Sequence, residues 1–147
     1  MLKGIPPILS PELLKVLCEM GHTDELTIGD GNFPGHTYAK KVIRLDGHGV
    51  PEILDAILQV FPLDTYVDKP VALMGVVKGD TAKTPIWDTY KEIVAKYDER
   101  GAECFEELDK WDFYERTKEK STVVIMTGET AIYANIILKK GVVFFND

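Results

Sequence analysis

A near-continuous apolar run, Val71 to Val77, is the feature that most constrains how this chain can fold. Such runs, which lack polar alternation, are typical of strands buried on both faces of a sheet. Helical patterns lie on both sides of the run: Pro51 opens one, and Thr84-Pro85 opens the next. Strands that alternate with helices predict an α/β fold, a single layered domain with a mostly parallel central sheet flanked by helices.

The remaining segments fit the same plan. Apolar residues at helical spacing predict a first helix that begins after Ser10 and ends at Gly21, a favourable C-terminal cap. A short charged helix is predicted from Phe113 to Lys120. The other predicted strands are Leu26–Ile28, Val42–Leu45, Ala102–Leu108, Val123–Met126, Ile136–Leu138 and Val142–Phe145.

Length and charge limit what the chain can be. Its 147 residues, 45% hydrophobic and 28% charged, predict one domain over residues 1–147. The formal net charge of −7 argues against a nucleic-acid partner, since an acidic surface repels phosphate. We see no secretory signal and no stretch near 18 apolar residues, and so expect a cytoplasmic protein without a membrane partner. Cys18 and Cys104 are expected to be buried free thiols.

Three histidines occur, and His22 is the one best placed for proton transfer. It follows the predicted end of the first helix and precedes a strand, and imidazole titrates near neutral pH. The alternative is that His22 caps the helix by hydrogen bonding to its last carbonyls. His22, Asp30 and His36 match no zinc or calcium spacing, and no glycine-rich nucleotide loop is present. We therefore expect neither a metal nor a cofactor.

Polar residues also lie where predicted strands begin and end. Asp30 follows the first strand, and ligands of α/β sheets gather beyond the carboxyl ends of strands. Its carboxylate could hold ligand hydroxyls or orient a histidine; the alternative is an Asx-turn. Tyr133-Ala134-Asn135 precedes a strand and offers a ring, a hydroxyl and an amide. The alternative there is a packed tyrosine and an asparagine that completes a turn.

Taken together, these segments resemble the family of fucose mutarotases and ribose pyranases. The resemblance runs in order along nearly the whole chain. It is carried by Leu2–Pro6 with Leu9–Leu14, Met20–Glu25 leading to Asp30, Phe113–Arg116, and Thr127–Glu129 continued by Tyr133–Gly141, with support from Phe33-Pro34 and Thr84–Trp87. The Phe113-Tyr114-Glu115-Arg116 element and the Ser10–Leu14 start favour the fucose branch.

The resemblance implies roles for particular residues. His22 falls on the family's catalytic histidine and Asp30 on its sugar-binding aspartate. The tripeptide Tyr133-Ala134-Asn135 falls on the substrate-binding segment. Lys110 occupies a position where the family has an arginine or histidine, and Tyr114 is a neighbouring contact.

The resemblance also implies an activity. The chain is expected to be an isomerase that interconverts the α and β anomers of free L-fucose by general acid–base ring opening and closing, without metal or cofactor. The alternatives are a ribose pyranase, which interconverts ring sizes, and a non-enzymatic sugar-binding ring protein. Family members form rings, commonly decamers, with sites near subunit contacts. The apolar segment Val142–Phe145 fits such an interface.

Overall fold

Strands and helices alternate along residues 1–145, the part of the chain that this computed structural model describes. The strands are β1 (Glu25–Gly29), β2 (Val42–Leu45), β3 (Val71–Met74), β4 (Phe105–Leu108), β5 (Ser121–Thr127) and β6 (Ile136–Lys139). The α-helices are α1 (Pro11–Glu19), α2 (Gly35–Tyr38), α3 (Val50–Leu58), α4 (Pro85–Ala95) and α5 (Lys110–Lys120). A 3-10 turn, Gly101–Cys104, leads into β4.

Within residues 1–145 the strands form one six-stranded sheet in the order β2-β5-β1-β6-β3-β4. Five strands point the same way, and β6 runs antiparallel between β1 and β3. The carboxyl ends of these five strands therefore lie on one side of the sheet, where β6 begins, and we call this side the carboxyl edge. The side where the five strands begin is called the amino edge. The carboxyl edge carries Gly29, Leu45, Met74, Leu108, Thr127 and Ile136. The predicted mostly parallel sheet is confirmed.

Helices cover both faces of the sheet. Alternate side chains of β5 separate the two layers: Val123 and Ile125 pack with α1, α3 and α4, whereas Val124 and Met126 pack with α5. These side chains are buried, and each such burial stabilises the fold by about 1.5–3 kcal/mol. The predicted single layered α/β domain is confirmed.

Local capping explains where two helices begin. The Ser10 hydroxyl accepts a hydrogen bond from the Leu13 amide (3.2 Å) at the start of α1. The Asp109 carboxylate accepts one from the Trp111 amide (2.9 Å), so α5 begins at Lys110 rather than at Phe113 as predicted. The earlier start turns Lys110 into a first-turn residue at the carboxyl edge.

Three strand predictions need correction. The apolar run from Val71 forms a strand only to Met74; the Gly75 amide makes the last ladder hydrogen bond, to the Leu108 carbonyl (2.7 Å), and the chain then leaves the sheet. The first part of Ala102–Leu108 lies in the 3-10 turn, and only the second part is a strand. The segment Val142–Phe145 forms no strand, and its last three residues are exposed.

Two further features differ from expectation. The short helix α2 lies just past a run of turn-forming residues and was not predicted. Cys18 is exposed on α1, contrary to prediction, whereas Cys104 is buried as predicted.

Among the helices of residues 1–145, none combines the length and the apolar character that crossing a membrane requires.

Candidate functional site

A cavity of about 370 Å³ opens at the carboxyl edge of the sheet. The ends of β1 and β3, the start of β6, the first turns of α5 and the loop after β3 surround it. Its lining residues are Asp30, Asn32, Phe33, Met74, Val77, Asp80, Lys110, Tyr114, Ile132, Tyr133 and Asn135. Five residues that the sequence predicted to bind substrate are therefore together in one cavity, and we call it the carboxyl-edge cavity.

Asp30 lies directly beyond β1 and is only 6% exposed. Its Oδ1 accepts a hydrogen bond from the Asn32 amide (3.0 Å), so the Asx-turn that the sequence left open as the alternative is present. Burial raises the pKa of the Asp30 carboxyl, although hydrogen bonds from the Asn32, Ala134 and Phe33 amides oppose the change. Asp30 is thus a buried carboxyl that both shapes its loop and faces the cavity.

Ala134 and Asn135 hold Asp30 in place from the start of β6. The Asn135 Oδ1 accepts a hydrogen bond from the Asp30 amide (2.8 Å). This orients the Asn135 Nδ2 toward Met74 Sδ at 3.9 Å, a weak acceptor, and leaves Nδ2 as a donor for a ligand. Ala134 does not line the cavity; it is buried behind it, and its carbonyl accepts from the Tyr90 hydroxyl (2.7 Å).

Tyr133 has a left-handed backbone conformation, with φ of +53°. A hydrogen bond from Trp87 Nε1 to the Tyr133 carbonyl (2.8 Å) supports this conformation. Its hydroxyl donates to the Asp80 carboxylate and accepts from the Val77 amide (3.3 Å). The hydrogen bond to Asp80 raises the pKa of the Tyr133 hydroxyl. Tyr133 thereby ties the loop after β3 to the cavity.

Lys110 and Tyr114 form the α5 side of the cavity. The Lys110 ammonium lies 5.3 Å from the Trp111 ring centroid and 5.8 Å from that of Tyr114, within cation–π range. Tyr114 stacks on Tyr38 of α2 with centroids 4.8 Å apart. The aromatic groups leave the charged end of Lys110 at the cavity mouth, where it can donate to a hydroxyl.

His22 lies elsewhere, at the amino edge of the sheet. Its Nε2 is 3.0 Å from the Asp64 Oδ1, and its ring packs against Tyr66 with centroids 5.1 Å apart. The following residue, Thr23, donates its amide to the Lys140 carbonyl (2.9 Å), just beyond the end of β6. The helix-cap alternative for His22 is therefore wrong: its ring pairs with a carboxylate.

One chain does not bring His22 and Asp30 together. Strand β1 lies between them, and its first and last Cα atoms are about 13 Å apart at a rise of about 3.3 Å per residue. A general base must come within about 3 Å of the atom that carries the proton it removes. Within one chain Asp30 does not orient His22, contrary to that expectation, because Asp64 is the carboxylate that His22 contacts.

Sequence reasoning missed Asp64 and Asp80. Both lie in loops without a recognisable motif, and each meets its partner through a long-range contact. His36, the third residue of the rejected metal reading, instead contacts Arg44 (3.1 Å). Among residues 1–145, no three histidine, cysteine or acidic side chains converge in a way that could hold a metal ion.

Comparison with known proteins gives a consistent set of matches. The family described as the RbsD / FucU transport protein family matches residues 3–143. The human protein named fucose mutarotase is 45% identical over 154 residues, which cover 99% of this chain and 96% of the human one.

Two solved structures are similar over nearly the full length. FucU from Bifidobacterium longum has a TM-score of 0.94 and 60% identity, covering 97% of this chain and 100% of that one. The fucose mutarotase from Streptococcus pneumoniae, solved in complex with L-fucose, has a TM-score of 0.90 and 48% identity, with the same coverage.

Proposed function

Because this chain belongs to the RbsD / FucU family, we propose that it acts as a fucose mutarotase, an isomerase that interconverts the α and β anomers of free L-fucose. The observation that carries the proposal is the carboxyl-edge cavity, which gathers five residues expected to bind sugar. The fucose reading is favoured over the ribose pyranase alternative, since relatives at 45–48% identity bear the fucose mutarotase name.

The carboxyl-edge cavity has the mixed chemistry that a deoxysugar requires. Asp30, Asn135 and Lys110 offer an acceptor, an amide and an ammonium group to hydroxyls. Phe33 and Met74 supply an apolar wall that suits a methyl group. Polar groups on one side and an apolar wall on the other would fix the orientation of a 6-deoxyhexose.

Anomer exchange needs only proton transfers. A base takes the proton from the anomeric hydroxyl while an acid protonates the ring oxygen, and the bond between the anomeric carbon and that oxygen breaks. The open-chain aldehyde rotates, and the reverse transfers close the ring with the opposite configuration. We assign His22 as the main proton-transfer group, with a contribution of about 10²–10⁴-fold. Asp30, Lys110, Tyr114, Tyr133, Asn135 and the backbone of Ala134 hold or position the sugar.

The site that we propose is completed by a second copy of the chain. His22 is at the amino edge and the carboxyl-edge cavity at the other, so His22 must come from a neighbouring subunit. Exposed apolar side chains flank both regions: Trp111 and Ile132 border the cavity, and Tyr66 packs against His22. Such side chains are typical of surfaces that are covered in an assembly. The expected assembly is a ring-shaped homodecamer.

The proposal includes a cytoplasmic location. Cys18 and Cys104 are both free thiols, which is the usual state in a reducing compartment. A cofactor has no part in the proton transfers described above.

A substrate series tests the proposed activity. Anomer exchange would be measured by saturation-transfer NMR for L-fucose, L-galactose, in which a hydroxyl is added to the methyl carbon, and D-ribose. We expect the largest acceleration for L-fucose, because the apolar wall disfavours the added hydroxyl. Greater acceleration with D-ribose would favour the pyranase alternative, and sugar binding without acceleration would favour a non-enzymatic ring protein.

A further inference from the structure

We propose that Glu129 is a positioning residue for the sugar-binding groups: it fixes the loop between β5 and β6 against β1 and α3, and so sets the places of Asp30 and Asn135 in the carboxyl-edge cavity. This inference rests on the proposed function, in which those two residues hold the sugar. Glu129 lies just beyond the end of β5 and is not among the residues that line the cavity. It acts through the backbone, without touching the ligand.

The Glu129 carboxylate accepts three hydrogen bonds from backbone amides. Its Oε1 accepts from Val50 (3.1 Å), the first residue of α3. Its Oε2 accepts from Thr130 (3.0 Å) and Ala131 (3.1 Å) in its own loop. A negative charge is favoured at the N-terminus of a helix, where the amides lack partners within the helix. One side chain therefore ties the loop between β5 and β6 to the start of α3.

The backbone of Glu129 joins the same loop to the turn that carries Asp30. Its carbonyl accepts from the Gly31 amide (2.9 Å). Its amide donates to the Thr127 hydroxyl (3.1 Å), which in turn donates to the Gly29 carbonyl (2.8 Å). Asp30 thus lies between two residues, Gly29 and Gly31, that are each linked to the Glu129 backbone.

The other end of the loop holds Asp30 directly. The Asn135 Oδ1 accepts from the Asp30 amide (2.8 Å), and the Ala134 amide donates to the Asp30 carboxyl. The loop from residue 129 to residue 135 is therefore attached to the Asp30 turn at both ends. If the start of the loop were released, Asn135 and Asp30 would no longer be held in one arrangement toward a ligand.

Glu129 can approach its neighbours closely because two of them are glycines. A Cβ atom at Gly31 would lie 3.2 Å from the Glu129 carbonyl oxygen, and one at Gly49 would lie 3.0 Å from its Oε1. Both contacts are tighter than most that real Cβ atoms make. The two glycines belong to the two segments that Glu129 joins, the turn after β1 and the residue before α3. The sequence thus makes room for Glu129 on both sides.

Backbone amides, and not a cation, hold the Glu129 carboxylate. None of the ion pairs within residues 1–145 includes it. Hydrogen bonds to an ionised acceptor are about twice as strong as those between neutral groups. Amide donors are also fixed in the chain, whereas the long side chains of an exposed ion pair are not. The arrangement therefore defines one position of the loop.

The test compares Glu129→Ala with Ser10→Ala. Both substitutions remove a side-chain oxygen that accepts from an amide at a helix N-terminus, and the Ser10 hydroxyl caps α1 outside the carboxyl-edge cavity. We expect KM for L-fucose anomer exchange to rise by about 10- to 10²-fold in Glu129→Ala, because the binding groups are misplaced. The change in kcat should be smaller, since His22 is untouched. Ser10→Ala should leave KM unchanged.

Amide hydrogen exchange, measured by NMR, shows whether the effect reaches Asp30. In Glu129→Ala, exchange should be faster at the Val50 and Ala131 amides, which lose their acceptor. It should also be faster at the Asp30 and Gly31 amides, although their acceptors remain. Faster exchange at Val50 and Ala131 alone would mean that Glu129 only caps α3 and orders its own loop, and the proposal would be wrong.

A second variant covers the case in which Glu129→Ala does not fold. Glu129→Gln keeps one acceptor oxygen, so it should show the same two effects at smaller size. An unchanged KM in both variants, or an equal rise in Ser10→Ala, would overturn the proposal. If the wild type does not accelerate fucose exchange, the proposed function fails; the exchange rates at Asp30 and Gly31 still decide whether Glu129 positions them.

Discussion

His22 and Asp30 lie at opposite ends of one strand, β1, with His22 before its first residue and Asp30 after its last. Asp30 faces the carboxyl-edge cavity, whereas His22 pairs with Asp64 at the amino edge. Two residues that are eight positions apart in the sequence thus lie on two separate surfaces of the chain. A site that uses both residues has to be assembled from two copies of the chain.

Mixed oligomers test this arrangement. His22→Ala and Asp30→Ala should each be nearly inactive alone, because every site lacks one group. The two variants would be co-expressed with different tags and purified through both tags. If copies mix at random, an intact His22 is present at about half of the sites and an intact Asp30 at about half, so about one quarter of wild-type activity should be recovered. Anomer exchange per subunit is the measurement.

The control for mixing is the double variant His22→Ala/Asp30→Ala co-expressed with the wild-type chain. A two-copy site predicts about one quarter of full activity in that mixture, whereas a site within one chain predicts about one half. No recovery in the first mixture, with one half in the second, would contradict the two-copy site.

The raised pKa of Asp30 predicts a particular pH dependence of stability. The folded state binds the Asp30 proton more tightly than the unfolded state, so this group favours folding most at low pH. Its contribution is lost as pH rises from the ordinary value of 3.8 through the raised pKa. Asparagine does not titrate, so Asp30→Asn does not lose this contribution to stability. As pH rises, the free energy of unfolding of Asp30→Asn should therefore increase relative to that of wild type. Denaturant unfolding between about pH 4 and pH 7 measures both slopes; parallel slopes would show that the pKa is not raised.

The contact between Tyr133 and Asp80 predicts an effect on sugar affinity. Tyr133→Phe removes the hydroxyl that joins Asp80 and the Val77 amide, and the loop after β3 loses its attachment to the cavity. We expect faster hydrogen exchange at the Val77 amide and a severalfold rise in KM for L-fucose, with a smaller change in kcat.

Tyr97→Phe is the matched control for that change. The Tyr97 hydroxyl also bonds to an aspartate, Asp55 (2.8 Å), but outside the carboxyl-edge cavity. Tyr97→Phe should therefore leave KM for L-fucose unchanged. Equal effects of the two substitutions would mean that the Tyr133 hydroxyl has no special role at the cavity.

Gly128 predicts a large local effect on stability. A Cβ atom there would lie 2.0 Å from the Asp46 carbonyl oxygen, so Gly128→Ala must displace the backbone. We expect a loss of about 1–3 kcal/mol in the free energy of unfolding, measured by denaturant titration. Gly47→Ala, next to Asp46 in the turn after β2, is the control: a Cβ there meets no atom of residues 1–145 within 4 Å. Its effect should be within ~0.5 kcal/mol, and similar losses for both would contradict the steric explanation.

The sheet could be predicted because its signals are local. The apolar run from Val71, the strand Val123–Met126 and the proline-led helices each reflect burial or capping within a few residues. The Val142–Phe145 prediction failed for the opposite reason. Its composition suits a strand, but the chain leaves the sheet after Gly141, whose amide donates to the Pro62 carbonyl (2.8 Å).

The candidate site could be predicted only in part. Asp30, Tyr133 and Asn135 lie beside strand ends, and the parallel sheet brings such ends to one edge. Asp64 could not be found in this way, because it reaches His22 across 42 positions through an isolated bridge of Leu63 with Lys140. The separation of His22 from Asp30 follows from the strand between them, which the sequence predicts as Leu26–Ile28 and which the structure extends to Glu25–Gly29.

Saturation-transfer NMR on the anomeric protons of L-fucose tests the central claim most directly, with catalytic amounts of wild-type protein and of His22→Ala. Our account predicts that the wild type accelerates exchange between the α and β signals and that His22→Ala loses about 10²-fold or more of this acceleration. Equal acceleration by the two proteins would contradict the assignment of His22, and no acceleration by the wild type would contradict the activity itself.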